Sequence, residues 1–391
     1  MSAKCINEAW GRPGGKGSRS VANFDEDSIT MGVSSALMCM KTAAFSPDNI
    51  SGLYFATTTP PYKEKSSAVV IGTALDLRSE IRTVDYGASL RASTAALLGA
   101  MDTVCNQQSG DIMVTASDCR LGEPGSMLEV ALGDASAALI VGNKNTIADV
   151  IDTYSVCDDI LDQWRRDEDP YVRDDDVRFA QIYGFQKAVS SAINGILRKT
   201  GLKKTDFAKV VILPIDSRSH IKLASKLGFD VKSQLVPMVE DVGLCGVAQP
   251  FLLLSIALEK AQPGEKILVT SYGDGADAIV FEVTEGINGL KDRGRIKKEQ
   301  QAWRELTSYN KYLSFNNLIK GQEPLTQPFS STTLVYREKY SNVRLYARKC
   351  EKCGKVVFLR DIHVCPGCYA QDQFSLIKLS KEATLFTFNQ E

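Results

Sequence analysis

The sequence predicts an α/β protein made of one unit used twice, with a compact metal module after it. Three observations carry that prediction. Apolar runs bounded by turn residues alternate with runs of helical period from residue 28 to about 283, the rhythm of helices packed on sheets. The order of elements then repeats, and the two closing segments share letters as well as position, GDASAALIV at 133–141 and GDGADAIVF at 273–281. Finally, four cysteines in two close pairs follow the second copy.

The first copy reads as helix 28–43, whose Ile29, Val33, Leu37 and Met40 fall on one face, then strand 52–58, helix 66–77, strand 81–86, helix 89–105, strand 111–117 and strand 135–142. The second reads as strand 148–156, helix 177–200, strand 209–215, helix 219–228, strand 234–238, helix 246–262, strand 266–272 and strand 276–283. Gly and Asp open each closing turn, and the small residues after them let two strands cross closely. One asymmetry remains. The second copy opens on ADVIDTYSV, whereas residues 1–27 hold nothing apolar enough to match it. The first copy is therefore expected to lack its opening strand, its place falling to an upstream segment, a partner or an irregular stretch.

With 391 residues the chain has room for two to four domains of roughly 100 to 200 residues each. Hydrophobic residues make up 44% and charged residues 24%, a globular balance that excludes a fibrous or disordered reading. No stretch approaches the roughly 18 to 20 consecutive apolar residues of a membrane helix, so a soluble protein without a membrane partner is expected. Forty-six Lys plus Arg against 47 Asp plus Glu leave a net charge of -1, too little to steer the molecule toward nucleic acid or an anionic surface. The start, MSAKCINEAWGRPGGKG, has neither the apolar core of a secretory signal nor the charge of a transit peptide, which points to a cytoplasmic, reducing location. There Cys5, Cys39, Cys105, Cys119, Cys157 and Cys245 are expected as small buried hydrophobes. GRPGGKG at 11–17 lacks the flanking strand and helix of a phosphate-cradling loop.

Cys350-Glu-Lys-Cys353 and Cys365-Pro-Gly-Cys368 form two knuckles, each able to set two thiolates on one cation. Four sulfurs about 2.3 Å from a tetrahedral zinc satisfy it without another ligand, so structural zinc is the implied cofactor. A redox dithiol is the rival, but two matched pairs in one short segment favour a closed site. Between them VVFLRDI reads as one strand that returns the chain, with His363 a bystander. Arg344, Arg348, Lys349, Lys352 and Lys355 flank the knuckles without a basic-aromatic motif, so nucleic acid is not the expected partner. QFSLIKLSKEATLFTFNQE then reads as two alternating strands. These signals divide the chain into 1–144 and 145–287 for the two copies, 288–345 for a charged linker and helical extension, 346–370 for the ribbon, and 371–391 for the closing strands.

These residues carry a resemblance. The hairpins GDASAALIV and SYGDGADAIVFEV resemble the thiolase superfamily, while ANFDEDSITM, YFATTTPPY and the placement of ASLRASTAAL resemble its 3-hydroxy-3-methylglutaryl-CoA synthase branch, over residues 6 to about 285. LTSYNKYLSFNNLIKGQEP and the cysteine pairs resemble the small zinc-ribbon/OB-fold proteins that bridge thiolases to such synthases in acyl-CoA complexes. The resemblance implies a duplicated five-layer thiolase fold (α-β-α-β-α), a zinc ribbon and the start of an OB-type β-barrel. It also implies a coenzyme A thioester as ligand, a homo-oligomer and a thiolase partner subunit.

That family's chemistry needs a cysteine at the head of the third helix, where the helix dipole and a neighbouring histidine favour the thiolate that takes up the acyl group. Set on the family's pattern, ASLRASTAAL puts Leu90 at that position, or Ser89 if the register slips by one. The resemblance likewise puts Leu213 at the histidine, Gly243 or Asp241 at the asparagine and Thr58 at the acid/base glutamate. The triad positions are thus expected to be vacated at Leu90, Leu213 and Gly243. Candidates to replace them are Ser89, His220, Asp241 and Tyr272, with Tyr62 nearby. Ser89 and Asp216 with Ser217 also suit helix caps, His220 suits a partly exposed helix position, and Arg91 at the positive end of a helix suggests an anionic partner. Three readings follow: a thiolase-fold subunit without its own nucleophile in an acyl-CoA complex; an acyltransferase or aldolase-type enzyme of non-cysteine mechanism; and a structural or nucleic-acid-binding zinc protein.

Overall fold

A computed structural model describes residues 1–107, 110–290, 294–319, 332–358 and 362–385. The chain falls into two compact units, residues 1–72 with 77–321 and residues 73–76 with 322–391.

In the larger unit, strands β1 (Ile50–Ala56), β2 (Arg82–Tyr86), β3 (Asp111–Asp118) and β4 (Ala135–Val141) form one sheet in the order β2-β1-β3-β4. β1 runs parallel to β2 and β3, and β4 returns antiparallel to β3 with Ala138 opposite Thr115. β5 (Ala148–Cys157) opens the second copy, and a short hairpin of β6 (Gln163–Trp164) and β7 (Arg173–Asp174) follows it. β8 (Phe207–Val211), β9 (Lys266–Tyr272) and β10 (Gly275–Val283) join β5 in a second sheet of order β5-β10-β9-β8. β8 is parallel to β9, while β10 is antiparallel to both β9 and β5. By chain order and direction, β1, β3 and β4 correspond to β8, β9 and β10.

Helices Ala92–Gln107 and Gln249–Glu259 lie between the sheets. Their Ala96, Leu97, Ala100, Phe251 and Leu254 share one core with Tyr54 and Val114 of the first sheet and Val211, Val269 and Ile279 of the second. Each such leucine, isoleucine, valine or phenylalanine contributes roughly 1.5–3 kcal/mol on burial, and the alanines let the layers approach. Helix Lys187–Thr200 covers the far face of the second sheet with Val189, Ile193 and Ile196 against Val210, Leu268 and Val280. On the first sheet, helix Ser28–Ala43 begins at a capping box: the Thr30 amide donates to Asp27 Oδ1 at 2.8 Å and the Asp27 amide to Thr30 Oγ1 at 2.7 Å. The result is the duplicated α-β-α-β-α stack.

Three elements depart from expectation. Residues 234–238 make no strand: only Gln234 and Val236 bond to Val210, and Pro237 has no N–H to extend the ladder. Helix 177–200 is interrupted by a π-helical segment, Ala180–Gln186, before Lys187–Thr200. The third helix starts at Ala92, which leaves Ser89, Leu90 and Arg91 in the turn before it.

The extension also joins the larger unit. Helix Tyr309–Phe315 sets a fully buried Tyr312 beside Met1 and Ile6, and Tyr309 Oη donates to buried Glu129 at 2.7 Å. In the smaller unit, helix Thr332–Asn342 precedes a three-stranded antiparallel sheet of β11 (Tyr346–Cys350), β12 (Val356–Val357) and β13 (Phe374–Lys378), in the order β12-β11-β13. The expected return strand keeps only Val356–Val357, with 359–361 outside the described residues. The expected second closing strand runs into 386–391, also outside them. Among the described residues no helix is long and apolar enough to cross a membrane.

Candidate functional site

The carboxyl ends of the parallel strands in the two sheets meet, the place where open α/β sheets hold ligands. Thr57, Thr58 and Thr59 follow β1, Ser89 to Arg91 follow β2, Asp118 ends β3, Leu213 follows β8 and Tyr272 ends β9. The meeting is tight. A Cβ on Gly273 would lie 3.0 Å from both the Leu90 Cβ and the Ser89 Oγ, so only glycine lets the β9–β10 turn reach that close.

Ser89 donates its hydroxyl to the Gly273 carbonyl at 3.2 Å and accepts the Arg91 amide at 3.4 Å. Its proton goes to a carbonyl, and among the described residues neither an imidazole nor a carboxylate bonds to it. Arg91 is a clamp between the two copies: Nε donates to Gly273 O at 2.6 Å, Nη2 to Asp274 O at 3.0 Å, and Nη1 meets Asp277 Oδ1 at 3.0 Å. The anionic partner suggested by its place on the helix is thus Asp277, which also accepts Thr94 Oγ1 at 2.6 Å.

Tyr272 is buried, edge-on to Phe185 at 5.4 Å, and its hydroxyl bonds to Asp162. Burial, then the Asp162 charge, push its pKa up, so it stays a neutral phenol. His220 is 3% exposed, not the partly exposed residue its helix position suggests. It lines a cavity of about 200 Å³ with Ser217, Ile221, Val231, Leu235, Pro237 and Met238, and its Nδ1 has no hydrogen-bond partner among the described residues. Burial lowers its pKa against the opposing pull of Asp216, which itself caps helix Ser219–Leu227 through the amides of Arg218 and Ser219, both at 2.7 Å. Asp241 is exposed and makes no hydrogen bond to Ser89, His220 or Tyr272 among the described residues; its charge acts on the Met1 ammonium.

The positions set by resemblance are apolar or spatially constrained. Leu213 is 4% exposed in the core of the second copy. Gly243 has φ +83°, and a Cβ there would lie 2.8 Å from the Ala131 carbonyl, so a side chain does not fit. Thr58 donates both its amide, at 2.7 Å, and its hydroxyl, at 3.0 Å, to Asp118.

Asp118 is the residue that sequence reasoning missed. Fully buried, it also accepts Thr57 Oγ1 at 3.1 Å and the Val247 amide of the second copy at 3.0 Å. These donors satisfy both oxygens of a carboxylate that burial has removed from water. The only local signal is a charge closing an apolar strand opposite a run of three threonines. The β6–β7 connection lies over this end of the sheets, through Asp162 to Tyr272, Gln163 to Arg120 at 3.0 Å and Arg165 to the Thr58 carbonyl at 2.6 Å. The nearby thiols are inert: burial, then neighbouring aspartates, push up the pKa of both Cys119 and Cys245.

In the smaller unit the four predicted cysteines converge. Cys350 and Cys368 sulfurs are 3.6 Å apart, Cys353 and Cys365 3.5 Å, and all four lie within 4.8 Å of one another. Sulfurs placed tetrahedrally about 2.3 Å from zinc would be about 3.8 Å apart, so this donor set fits that ion. His363 instead pairs with Asp372 at 2.7 Å.

Comparison with known proteins agrees with both halves of this picture. Residues 344–373 match the family described as ChsH2, rubredoxin-like zinc ribbon domain. The hydroxymethylglutaryl-CoA synthase of Methanopyrus kandleri is 30% identical over 306 residues, covering 77% of this chain and 87% of that one. That of Methanothermobacter thermautotrophicus is 31% identical over 310 residues, 77% of this chain and 88% of that one. A crystal structure of HMG-CoA synthase complexed with CoA shares the fold, with TM-score 0.70 at 20% identity over 85% of this chain and 91% of that one.

Proposed function

Since this chain belongs to the hydroxymethylglutaryl-CoA synthase family, we propose that it is a non-acylating subunit of a multi-subunit assembly that makes or breaks carbon–carbon bonds in acyl-CoA thioesters. One observation supports this above the others. The turn before helix Ala92–Gln107 offers Leu90, which has no nucleophile, and Ser89, whose hydroxyl proton is given to the Gly273 carbonyl. Acyl transfer to a side chain needs an ionisable nucleophile with a base beside it, and this turn holds neither. In this reading an acyl-CoA would lie at the strand ends, beside Thr58, Asp118 and Tyr272. In this reading Leu213 and Gly243 complete the vacated triad, and a thiolase partner subunit supplies the thiolate.

Cys350, Cys353, Cys365 and Cys368 would hold a structural zinc, whose role is to fold the ribbon that bridges to that partner. The purified full chain, incubated with radiolabelled acetyl-CoA, should remain unlabelled. Stoichiometric labelling abolished by Ser89→Ala would overturn the reading. Purification from the native source should bring down a cysteine-containing thiolase, and a sole homodimer under mild conditions would count against it.

The buried Tyr272–Asp162 pair supports a second reading, an acyltransferase or aldolase-type enzyme in which the neutral phenol donates a proton. Turnover of an acyl-CoA by the chain alone, lost in Tyr272→Phe, would favour it.

A further inference from the structure

In helix Ser219–Leu227 the spacing puts His220, Leu223, Ala224 and Leu227 on one stripe, the one that faces the core. Leu223 and Ala224 fill the core of the second copy, and Leu227 packs against it. His220 stands in the same stripe, 3% exposed, and its Nδ1 has no hydrogen-bond partner among the described residues. A buried polar nitrogen left unpaired destabilises a fold, so the position calls for a partner.

The cavity beside it has its cause in the backbone. Residues 234–236 run along β8, the Val236 amide donating to the Val210 carbonyl at 3.0 Å, and Pro237 then ends the pairing. About 200 Å³ is left among the residues of the helix and of this segment, reaching Ile221, which is 39% exposed. Its walls are tied down. The Gln234 side chain donates to the carbonyls of Lys204 at 2.9 Å and Phe207 at 2.8 Å, and Asp230 accepts the Lys232 amide at 2.8 Å. Such a space is formed before any ligand arrives.

Water suits it poorly. An ordered water needs about two to four polar partners, whereas here only Ser217 and His220 offer polar side chains against five apolar ones. A dry apolar cavity of about 150 Å³ takes a benzene-sized molecule, so this one has room for a ring with one substituent. The imidazole, held neutral by burial, has one N–H and one lone pair. A hydroxyl both gives and accepts, so it matches either ring nitrogen in either tautomer. A carboxylate does not fit, because the apolar walls cannot solvate it and the Asp216 charge acting on the ring repels it.

We propose that the cavity beside helix Ser219–Leu227 is a binding site for a small hydroxyl-bearing apolar molecule, a phenol or alicyclic alcohol of about seven heavy atoms, whose hydroxyl pairs with the His220 imidazole. The site shares no lining residue with Ser89, Asp118 and Tyr272 and is independent of the acyl-CoA reading.

The chain has two histidines, so histidine-selective isotope labelling of the full chain reports on His220, with the exposed His363 as an internal control. Phenol should shift the His220 ring resonances saturably, with a dissociation constant below about 10 mM, and leave those of His363 in place. Fluorobenzene matches phenol in size but has no hydroxyl, and it should bind about tenfold more weakly. Ile221→Trp, at the exposed rim, should abolish the phenol shift while the circular dichroism and the His220 resonances of the unliganded chain are kept. His220→Phe, followed by calorimetry, should lose the distinction between the two probes. The proposal is overturned if both probes bind the unsubstituted chain equally, if His220 and His363 shift alike, if Ile221→Trp binds phenol as before, or if phenol leaves His220 unmoved, the result expected where water fills the space.

Discussion

Asp277 and His220 show how single buried residues set the stability of this molecule. Asp277 receives Arg91 from the first copy and Thr94 from the helix between the sheets, and its side chain is 4% exposed. Asp277→Ala leaves the guanidinium and hydroxyl without that partner, and the loss should be about 3–5 kcal/mol in urea unfolding. For His220, burial holds the imidazole below its usual 6.5. As pH falls below 6.5 the unfolded chain takes up a proton that the folded chain refuses. Stability is therefore full above 6.5 and declines below it, by up to about 1.4 kcal/mol per pH unit, until the folded pKa is reached. Unfolding of His220→Leu at about pH 7.5 and 5.5 should show a smaller difference than the unsubstituted protein. The four zinc cysteines could be read from spacing because each knuckle is local. Asp118 could not, since its donors come from Thr57 and Thr58 just past β1 and from Val247 in the other copy, an encounter that only the tertiary fold creates.

At the scale of elements, a local period sufficed wherever one segment made its own hydrogen bonds or lay within a sheet. β9 has its expected bounds, and helix Ser28–Ala43 starts at its capping box. Residues 234–238 misled because an apolar run beside a strand needs a donor at every second residue, and Pro237 breaks the series. The π segment at Ala180–Gln186 left no trace in the apolar spacing; its Gly184 packs under the Tyr272 ring, a demand set by β9. The zinc ribbon is the element most open to direct test. Metal analysis of the intact chain should give one zinc per chain. Cys350→Ser should release it and melt the β11 to β13 sheet while the far-UV signal of the α/β core persists.

For the whole molecule, the duplication was legible because a repeated core imposes a repeated pattern: the same β-α-β spacing, and small residues at both closing hairpins. The pairing of the copies was not, because residues such as Gly273 and Arg91 make contacts that no periodicity encodes. The ribbon and the synthase-like core could likewise be read as separate modules, since each carries its own pattern. Whether the family's reaction survives is a matter of a few side chains on this scaffold, so fold alone does not decide it.

The Arg91 clamp also governs how the two copies come apart. Its guanidinium ties the first copy to both Gly273 and Asp277 of the second, so Arg91→Ala should ease their separation, and limited proteolysis should then nick the connecting stretch 142–147 sooner than in the unsubstituted protein.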